Sequence, residues 1–144
     1  MNNFLLDYKK DASVLRSLSE DVTEKDPFKP GGGMERLPKK LAEIMYGTNA
    51  VGIAAPQIGI LKRVVVIDVS KERNSPLVLV NPEIIEHSEE TNIDFEGCLN
   101  FPGKISMIRR YDRVVVKYRD LYGEDALIDA TGFLARVLQH EIDH

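Results

Sequence analysis

Apolar residues recur at two different spacings along the chain, and these spacings predict two helices and several strands. Between Glu35 and Tyr46 they recur every three or four positions, which predicts a one-sided amphipathic helix that ends at Gly47. A second helix is predicted from Gly132 to the end of the chain, with Thr131 as its N-cap. The stripe of this helix that is expected to be buried consists of Phe133, Leu134, Val137 and Leu138.

Runs rich in β-branched residues predict the strands. The predicted strands are Arg63 to Val69, Leu77 to Val80, Glu83 to Asp94, Arg113 to Tyr118 and Ala126 to Ala130. The last of these is either a short strand or the approach to the helix, and Asp120 to Glu124 is predicted to be a turn. The order of elements predicts an α+β fold in one domain, residues 1–144. Mostly antiparallel sheets would pack around the C-terminal helix, with a second helix in the N-terminal half.

Composition narrows the class of protein. The chain has 144 residues, 43% hydrophobic and 29% charged, which is typical of a globular domain with a core of its own. Its net charge of −4 argues against direct DNA binding. The single cysteine, Cys98, permits no internal disulfide and indicates a reducing compartment. With no secretory signal and no apolar run that could cross a membrane, the sequence predicts a cytoplasmic protein.

The segment from Val51 to Gln57 is made of small residues and a proline, where a regular element would have larger side chains. Glycine and alanine let another backbone approach closely, and Pro56 lacks a backbone donor. One interpretation is a tight turn between helix and strand. The other is a loop that lines a substrate groove, with the Gln57 amide as a donor.

Two histidines near the end of the chain indicate a metal site. His140 and His144 are four positions apart, so on a helix both imidazoles lie on one face and can hold one cation. Glu141 follows the first histidine and can accept a proton from metal-bound water. A catalytic site of this kind usually has three protein ligands and one open position. Because the sequence ends at His144, we expect the third ligand to come from upstream in the chain.

The upstream candidates for the third ligand are Cys98, His87 and a carboxylate. Carboxylates are too numerous to single out, and His87 lies among acids, where a solvated surface histidine is the commoner case. A free cysteine is more often a small core residue, but a site that lacks one ligand favours Cys98. A thiolate with two imidazoles suits Fe(II), Ni(II), Co(II) or Zn(II). The reaction would be attack of water on a carbonyl, with the Leu99 N–H and Gln57 as oxyanion donors.

Three separated segments resemble those of the peptide deformylase family, in the family's order. They are residues 50–57 (AVGIAAPQ), 96–100 (EGCLN) and 140–144 (HEIDH). The resemblance implies removal of the formyl group from the N-terminal formylmethionine of new polypeptides. It implies metal binding by Cys98, His140 and His144, with Fe(II) as the usual native ion and Zn(II), Ni(II) or Co(II) as replacements.

The same resemblance implies roles for other residues. Glu141 would act as general base and then as acid toward the leaving amine, while Gln57 and Leu99 would hold the formyl oxygen. The peptide would bind as an added strand, and its methionine side chain would enter an apolar pocket. The implied substrate-binding residues are Gly52, Ile53, Gly97, Phe133 and Val137. Glu96 would orient the metal-bearing loop, and Arg110 is expected to pair with Asp143 or Glu96.

The chain departs from the family pattern at three places. Ala50 replaces a glycine, Asn100 replaces a serine, and the sequence ends at His144, where family members usually continue. The resemblance is thus to a short form without the usual C-terminal extension. The implied partners are N-formylmethionyl peptides, and the missing extension weakens the expectation of ribosome contact.

Two alternative functions stay open at this point. A metallo-amidase or peptidase could use the same site on a different acyl group. A degenerate homologue could use the metal structurally or only bind peptides, although the intact Glu141 and Gln57 argue against this, because a structural site needs neither.

Overall fold

The computed structural model describes residues 36–97 and 105–144, and it confirms the predicted α+β fold with mostly antiparallel sheets. The helices in these ranges are α1 (Leu37–Gly47) and α2 (Gly132–Ile142). The strands are β1 (Gly52–Ala54), β2 (Val64–Ile67), β3 (Leu77–His87), β4 (Thr91–Gly97), β5 (Ile105–Tyr111), β6 (Arg113–Arg119) and β7 (Asp125–Thr131). A short 3₁₀ helix covers Ala55–Ile58.

Helix α1 buries the apolar face that its periodicity predicts. Pro38 lies in the first turn, where its missing N–H removes no intrahelical hydrogen bond. At the other end, the Thr48 hydroxyl donates to the Ile44 carbonyl at 3.0 Å. The apolar face packs in a first core cluster, which includes Leu41, Ile44, Met45, Ile53, Val64 and Val66.

Five strands form one antiparallel sheet in the order β1-β2-β3-β6-β7. Strand β2 is apolar at every position because both of its faces are covered. Val64 and Val66 belong to the first core cluster with α1, whereas Val65 and Ile67 belong to a second cluster with α2. The two helices therefore pack on opposite faces of this sheet.

The prediction of a single strand from Glu83 to Asp94 is wrong. Strand β3 continues from the predicted Leu77–Val80 segment through Pro82 to His87, and the chain then turns before β4 begins at Thr91. Pro82 cannot donate a ladder hydrogen bond, and the pairing with β6 shifts register at this point. Local alternation cannot reveal where such a bulged strand ends, because the turn residues are as polar as its exposed face.

Strand β1 was also missed, since both interpretations of the Val51–Gln57 segment made it a turn or a loop. Its small residues pair with β2, with Gly52 opposite Ile67 and Ala54 opposite Val65. All three residues of β1 are buried, so here small side chains indicate close packing from neighbouring elements.

Helix α2 begins after Thr131, as predicted, but the Thr131 side chain makes no capping hydrogen bond. The prediction that Phe133 is buried is wrong, because its side chain is 60% exposed. Phe133 lies in the first turn, directly after β7 ends, and outside the second core cluster. That cluster instead contains Ala135, Val137 and Leu138 from the helix, together with Leu79, Val114 and Val116 from the sheet.

Strands β4 and β5 pair as a separate two-stranded sheet against the other side of α2. The Gln139 side chain links α2 to β5. Its Nε2 donates to the Tyr111 carbonyl at 2.9 Å, and its Oε1 accepts from the Tyr111 N–H at 2.8 Å. Helix α2 is consequently enclosed between two sheets. Of the helices that the structure describes, none has the length and apolar character needed to cross a bilayer.

Candidate active site

His140 lies in the last turn of α2, whereas His144 lies two residues beyond Ile142, where the helix ends, so the helix stops short of the predicted end of the chain. The two imidazoles still lie close together, as their spacing predicts. Their ring centroids are 5.2 Å apart and the ring planes are inclined at 70°. Burial lowers the pKa of His144 to about 4, and the neighbouring His140 contributes to the decrease. A neutral imidazole is the form that donates a lone pair to a cation.

Glu96, near the end of β4, fixes the orientation of His140. Its Oε1 lies 2.7 Å from Nδ1 of His140. Burial alone would raise the pKa of Glu96, but hydrogen bonds from Arg110, His140 and Arg136 lower it to about 2. The ionised carboxylate can only accept, so Nδ1 carries the proton and Nε2 of a neutral His140 carries the lone pair. A histidine held in this way by a carboxylate is the usual arrangement behind a metal ligand.

Two arginines hold Glu96 in place. Arg110 donates from Nε to Oε2 at 3.0 Å and from Nη2 to Oε1 at 2.9 Å, and its Nη1 donates to Asp143. Arg110 thus contacts both Glu96 and Asp143, the two acids that were expected as its alternative partners. Arg136 donates to Glu96 Oε2 at 2.5 Å and was not anticipated. The available signal was its spacing, because Arg136 precedes His140 by four residues and shares its helix face.

Glu141 is 5% exposed, and its Oε2 has no hydrogen-bond partner among the residues that the structure describes. Burial raises the pKa of Glu141 to about 8, the charge of Glu96 adds to the rise, and Arg110 opposes it. The carboxylate packs directly against β1, since a Cβ on Gly52 would lie 2.9 Å from Cγ and Oε1 of Glu141. The structure therefore places the predicted proton acceptor against Gly52 of β1, in a small pocket that His144 also lines.

Gln57 lies in the 3₁₀ helix after β1 and is 2% exposed. Its Oε1 accepts the Ala54 N–H at 2.8 Å, which fixes the direction in which the amide faces. A buried amide that is held in this way is a preorganised donor, because its orientation is set before a ligand arrives.

The side chains of the predicted substrate-binding residues lie partly in the core and partly on the surface. The side chain of Ile53 is part of the first core cluster, and Val137 is 6% exposed in the second. Phe133 is exposed four residues before Val137, on the same side of the helix as His140. His87 is exposed and stacks on Tyr111, with ring centroids 3.8 Å apart, so it stays the surface residue that was expected.

Cys98 and Leu99, the predicted third ligand and oxyanion donor, lie outside the described residues, as does Asn100. Gly97 ends β4 directly before Cys98 and pairs with Ile105. Within residues 36–97 and 105–144, no group of three metal-ligating side chains is found. The two histidines are the members of the predicted ligand set that the structure describes.

Comparisons with known proteins show which family the chain is similar to. Residues 5–144 match the family model for polypeptide deformylase. A peptide deformylase from Thermodesulfovibrio yellowstonii is 45% identical over 133 residues, which are 91% of this chain and 77% of that protein. The crystal structure of a peptide deformylase from Thermotoga maritima matches with a TM-score of 0.86 at 38% identity, covering 97% of this chain and 88% of that one. A peptide deformylase from Synechococcus elongatus, solved in complex with actinonin, has a TM-score of 0.86 at 34% identity, covering 97% and 73% respectively.

Proposed function

The chain belongs to the polypeptide deformylase family, and on this premise we propose which of its residues carry the reaction. Peptide deformylases are metalloenzymes that remove the formyl group from the N-terminal formylmethionine of nascent polypeptides. In this chain, Cys98, His140 and His144 are the proposed metal ligands. Glu141 is the proposed proton carrier, and Gln57 and the Leu99 N–H are the proposed donors to the formyl oxygen.

The observation that carries the proposal is the buried Glu141 carboxyl group, which directly follows His140 in the chain and lines one small pocket together with His144. Its Oε2 lacks a hydrogen-bond partner within the described part of the chain, and a buried carboxylate oxygen without a partner is costly in a purely structural position. His140 presents Nε2 because Glu96 holds its Nδ1. These residues fit a cation with a water molecule next to Glu141, and they favour an active enzyme over a degenerate, structural site.

The protein groups would divide the reaction as follows. A bound divalent ion supplies a Lewis acid that lowers the pKa of water and polarises the formyl carbonyl. Next to a cation, the raised pKa of Glu141 would fall, which makes the ionised carboxylate available. Glu141 would then take a proton from the attacking water and later give it to the amine of the leaving peptide, so that formate and a free N-terminus are produced. Gln57 and the Leu99 N–H stabilise the negative charge that develops on the formyl oxygen.

The peptide backbone is proposed to bind along β1. Strand β1 is one of the two edge strands of the five-stranded sheet and, in the part of the chain that the structure describes, pairs only with β2. An extended peptide can therefore add to its open side near Gly52 and Ile53, and Gly97 would border it from β4. The exposed Phe133 and its helix neighbour Val137 are the proposed contacts for the methionine side chain.

Replacement of Glu141 by Gln tests the proposal. The Glu141→Gln variant keeps the size of the side chain but cannot accept the proton, so we expect kcat for formyl-Met-Ala to fall by about 100-fold or more. Its metal content should equal that of the parent. Glu43→Gln makes the same change at an exposed position of α1 and should leave kcat unchanged. Hydrolysis by Glu141→Gln at the parent's rate would refute the assignment of Glu141, and equal hydrolysis of acetyl-Met-Ala would favour a broader amidase.

We propose Fe(II) as the native metal, because it is the ion that the peptide deformylase family usually holds, and one thiolate with two imidazoles can bind it as well as Ni(II), Co(II) or Zn(II). Anaerobic purification followed by measurement of metal content and deformylation on one sample tests this. The iron-loaded sample should lose activity in air as the thiolate oxidises, while a zinc-loaded sample should keep its activity. A fully active anaerobic sample without iron would exclude Fe(II).

The proposed location is the cytoplasm, where a lone thiol stays reduced and new polypeptides emerge. Contact with the ribosome stays a prediction, and co-sedimentation of the protein with purified ribosomes tests it.

A further inference from the structure

We propose that Arg136 is a positioning residue that locks the metal-binding helix onto strand β4. The inference rests on the proposed metal site, but it concerns how His140 is oriented and not which residues react. Arg136 lies one helical turn before His140, and its side chain is 7% exposed. A guanidinium group that is buried this deeply is stable only when its charge is paired, so the role of Arg136 can be inferred from the groups that it contacts.

The hydrogen bonds that Arg136 donates connect it to the two-stranded sheet of β4 and β5. Nη1 donates to Glu96 Oε2 at 2.5 Å and to the Ile108 carbonyl at 3.0 Å. Nη2 donates to the Asn92 carbonyl at 3.0 Å and also to the Asn92 side-chain oxygen. One guanidinium therefore joins helix α2 to both β4 and β5. A planar fork with donors in fixed directions can reach these acceptors together, which a lysine ammonium cannot do.

Glu96 connects Arg136 to the proposed metal site. Arg136 and His140 are four residues apart on α2, and both contact the same carboxylate. Glu96 thereby fastens two successive turns of the helix to the end of β4. If the strand shifted along the helix, Glu96 would move away from Nδ1 of His140, and the imidazole could then rotate.

Arg110 does not duplicate this role, although it also binds Glu96. It lies on β5, which is already paired with β4, so its bonds to Glu96 reinforce a connection within one sheet. Its link to α2 is through Asp143, whose side chain is 63% exposed. Arg136 makes a buried connection between Glu96 of β4 and the helix, whereas the buried Gln139 joins the helix to the Tyr111 backbone of β5. The expected consequence of losing it is a less ordered His140 and a weaker metal site.

Cobalt(II) titration of the metal-free protein measures this consequence without using activity. Arg136→Met keeps an unbranched side chain of similar length and removes the donors. We expect its cobalt affinity to fall by about 10-fold to 100-fold, the range typical for partners behind a metal ligand, and its visible cobalt spectrum to change. Arg113→Met is the matched control, since Arg113 makes a bidentate pair with Asp129 on the exposed β6–β7 surface and should keep parental affinity.

Arg136→Lys keeps the proposal testable if Arg136→Met does not fold. It retains the charge but loses the planar fork, so we expect a smaller loss of cobalt affinity with the same spectral change. A folded Arg136→Met, or failing that a folded Arg136→Lys, with parental affinity and spectrum would overturn the proposal. That result would leave the proposed function intact as long as the parent deformylates formyl-Met-Ala and Glu141→Gln does not. A parent that binds no cobalt would instead contradict the proposed metal site itself.

Discussion

Gly52 shows how one residue can act through its lack of a side chain. An added Cβ would lie 2.9 Å from Glu141 Cγ, a distance that carbon atoms do not reach without displacement. Pairing with Ile67 holds the backbone of β1 in place, so Glu141 would have to move instead. The sequence placed Gly52 beside the substrate through the family resemblance. Its contact with Glu141 joins two distant segments, and no local pattern could reveal it.

The Gly52→Ala variant should therefore have a misplaced proton carrier. We expect kcat for formyl-Met-Ala to fall by about 100-fold, since a shift of about 1 Å in a catalytic group can cost that much. Metal content should be unchanged, because the added methyl meets Glu141 and not a proposed ligand. Gly47→Ala is the matched control, as an added Cβ there meets no atom within 4 Å. Parental kcat in Gly52→Ala would show that Glu141 has room to adjust.

At the scale of elements, the sequence of helix α2 predicts one of its buried faces but not the other. Periodicity located the helix and the burial of Val137 and Leu138, and the histidine spacing predicted their common face. Periodicity gave no indication that polar residues of the helix are also buried, yet Arg136 and Gln139 are 6% and 4% exposed. They are buried because β4 and β5 cover the other side of the helix. A hydrophobic pattern describes one apolar face, and it cannot show that a second, polar face is covered through hydrogen bonds.

The Gln139→Ala variant tests how strongly this second face is held. It removes both hydrogen bonds to Tyr111 and leaves the partly buried N–H and C=O of Tyr111 without these partners. We expect a loss of about 1–3 kcal/mol in the free energy of unfolding, measured by urea denaturation. Tyr122→Ala, at a side chain that is 88% exposed, should change it by less than about 0.5 kcal/mol. Equal stability of the two variants would mean that the β4–β5 sheet is not held through Gln139.

At the scale of the whole molecule, the proposed site draws on three distant segments: β1, the end of β4 and the end of α2. The sequence could predict this convergence only through the resemblance, because nothing in composition or periodicity brings residues 50–57 near residues 140–144.

Asp68, directly after β2, also joins segments that are distant in the sequence. It is 1% exposed and accepts hydrogen bonds from Tyr46 of α1 at 2.5 Å and from the Ser75 N–H at 3.0 Å.

Asp68 should make the stability of the whole fold depend on pH. Burial alone would raise the pKa of Asp68, but the hydrogen bonds from Ser70, Tyr46 and Ser75 lower it from 3.8 to about 2. A carboxyl whose pKa is lower in the folded state stabilises the fold above its unfolded pKa, and the contribution is lost as the pH falls through the folded value. The expected contribution is about 2 kcal/mol near neutral pH, declining between about pH 4 and pH 2.

Comparison with Asp68→Asn isolates this contribution, because the histidines and other acids titrate in both proteins and cancel in the difference. The parent should be the more stable protein near neutral pH, and its advantage should shrink by about 2 kcal/mol as the pH is lowered toward about 2. Urea denaturation at several pH values measures the two free energies of unfolding. Part of the difference will persist in acid, since the amide group of the variant cannot accept as many hydrogen bonds as the carboxyl group that it replaces. A difference that does not vary with pH would mean that the Asp68 carboxyl titrates alike in the folded and unfolded chains.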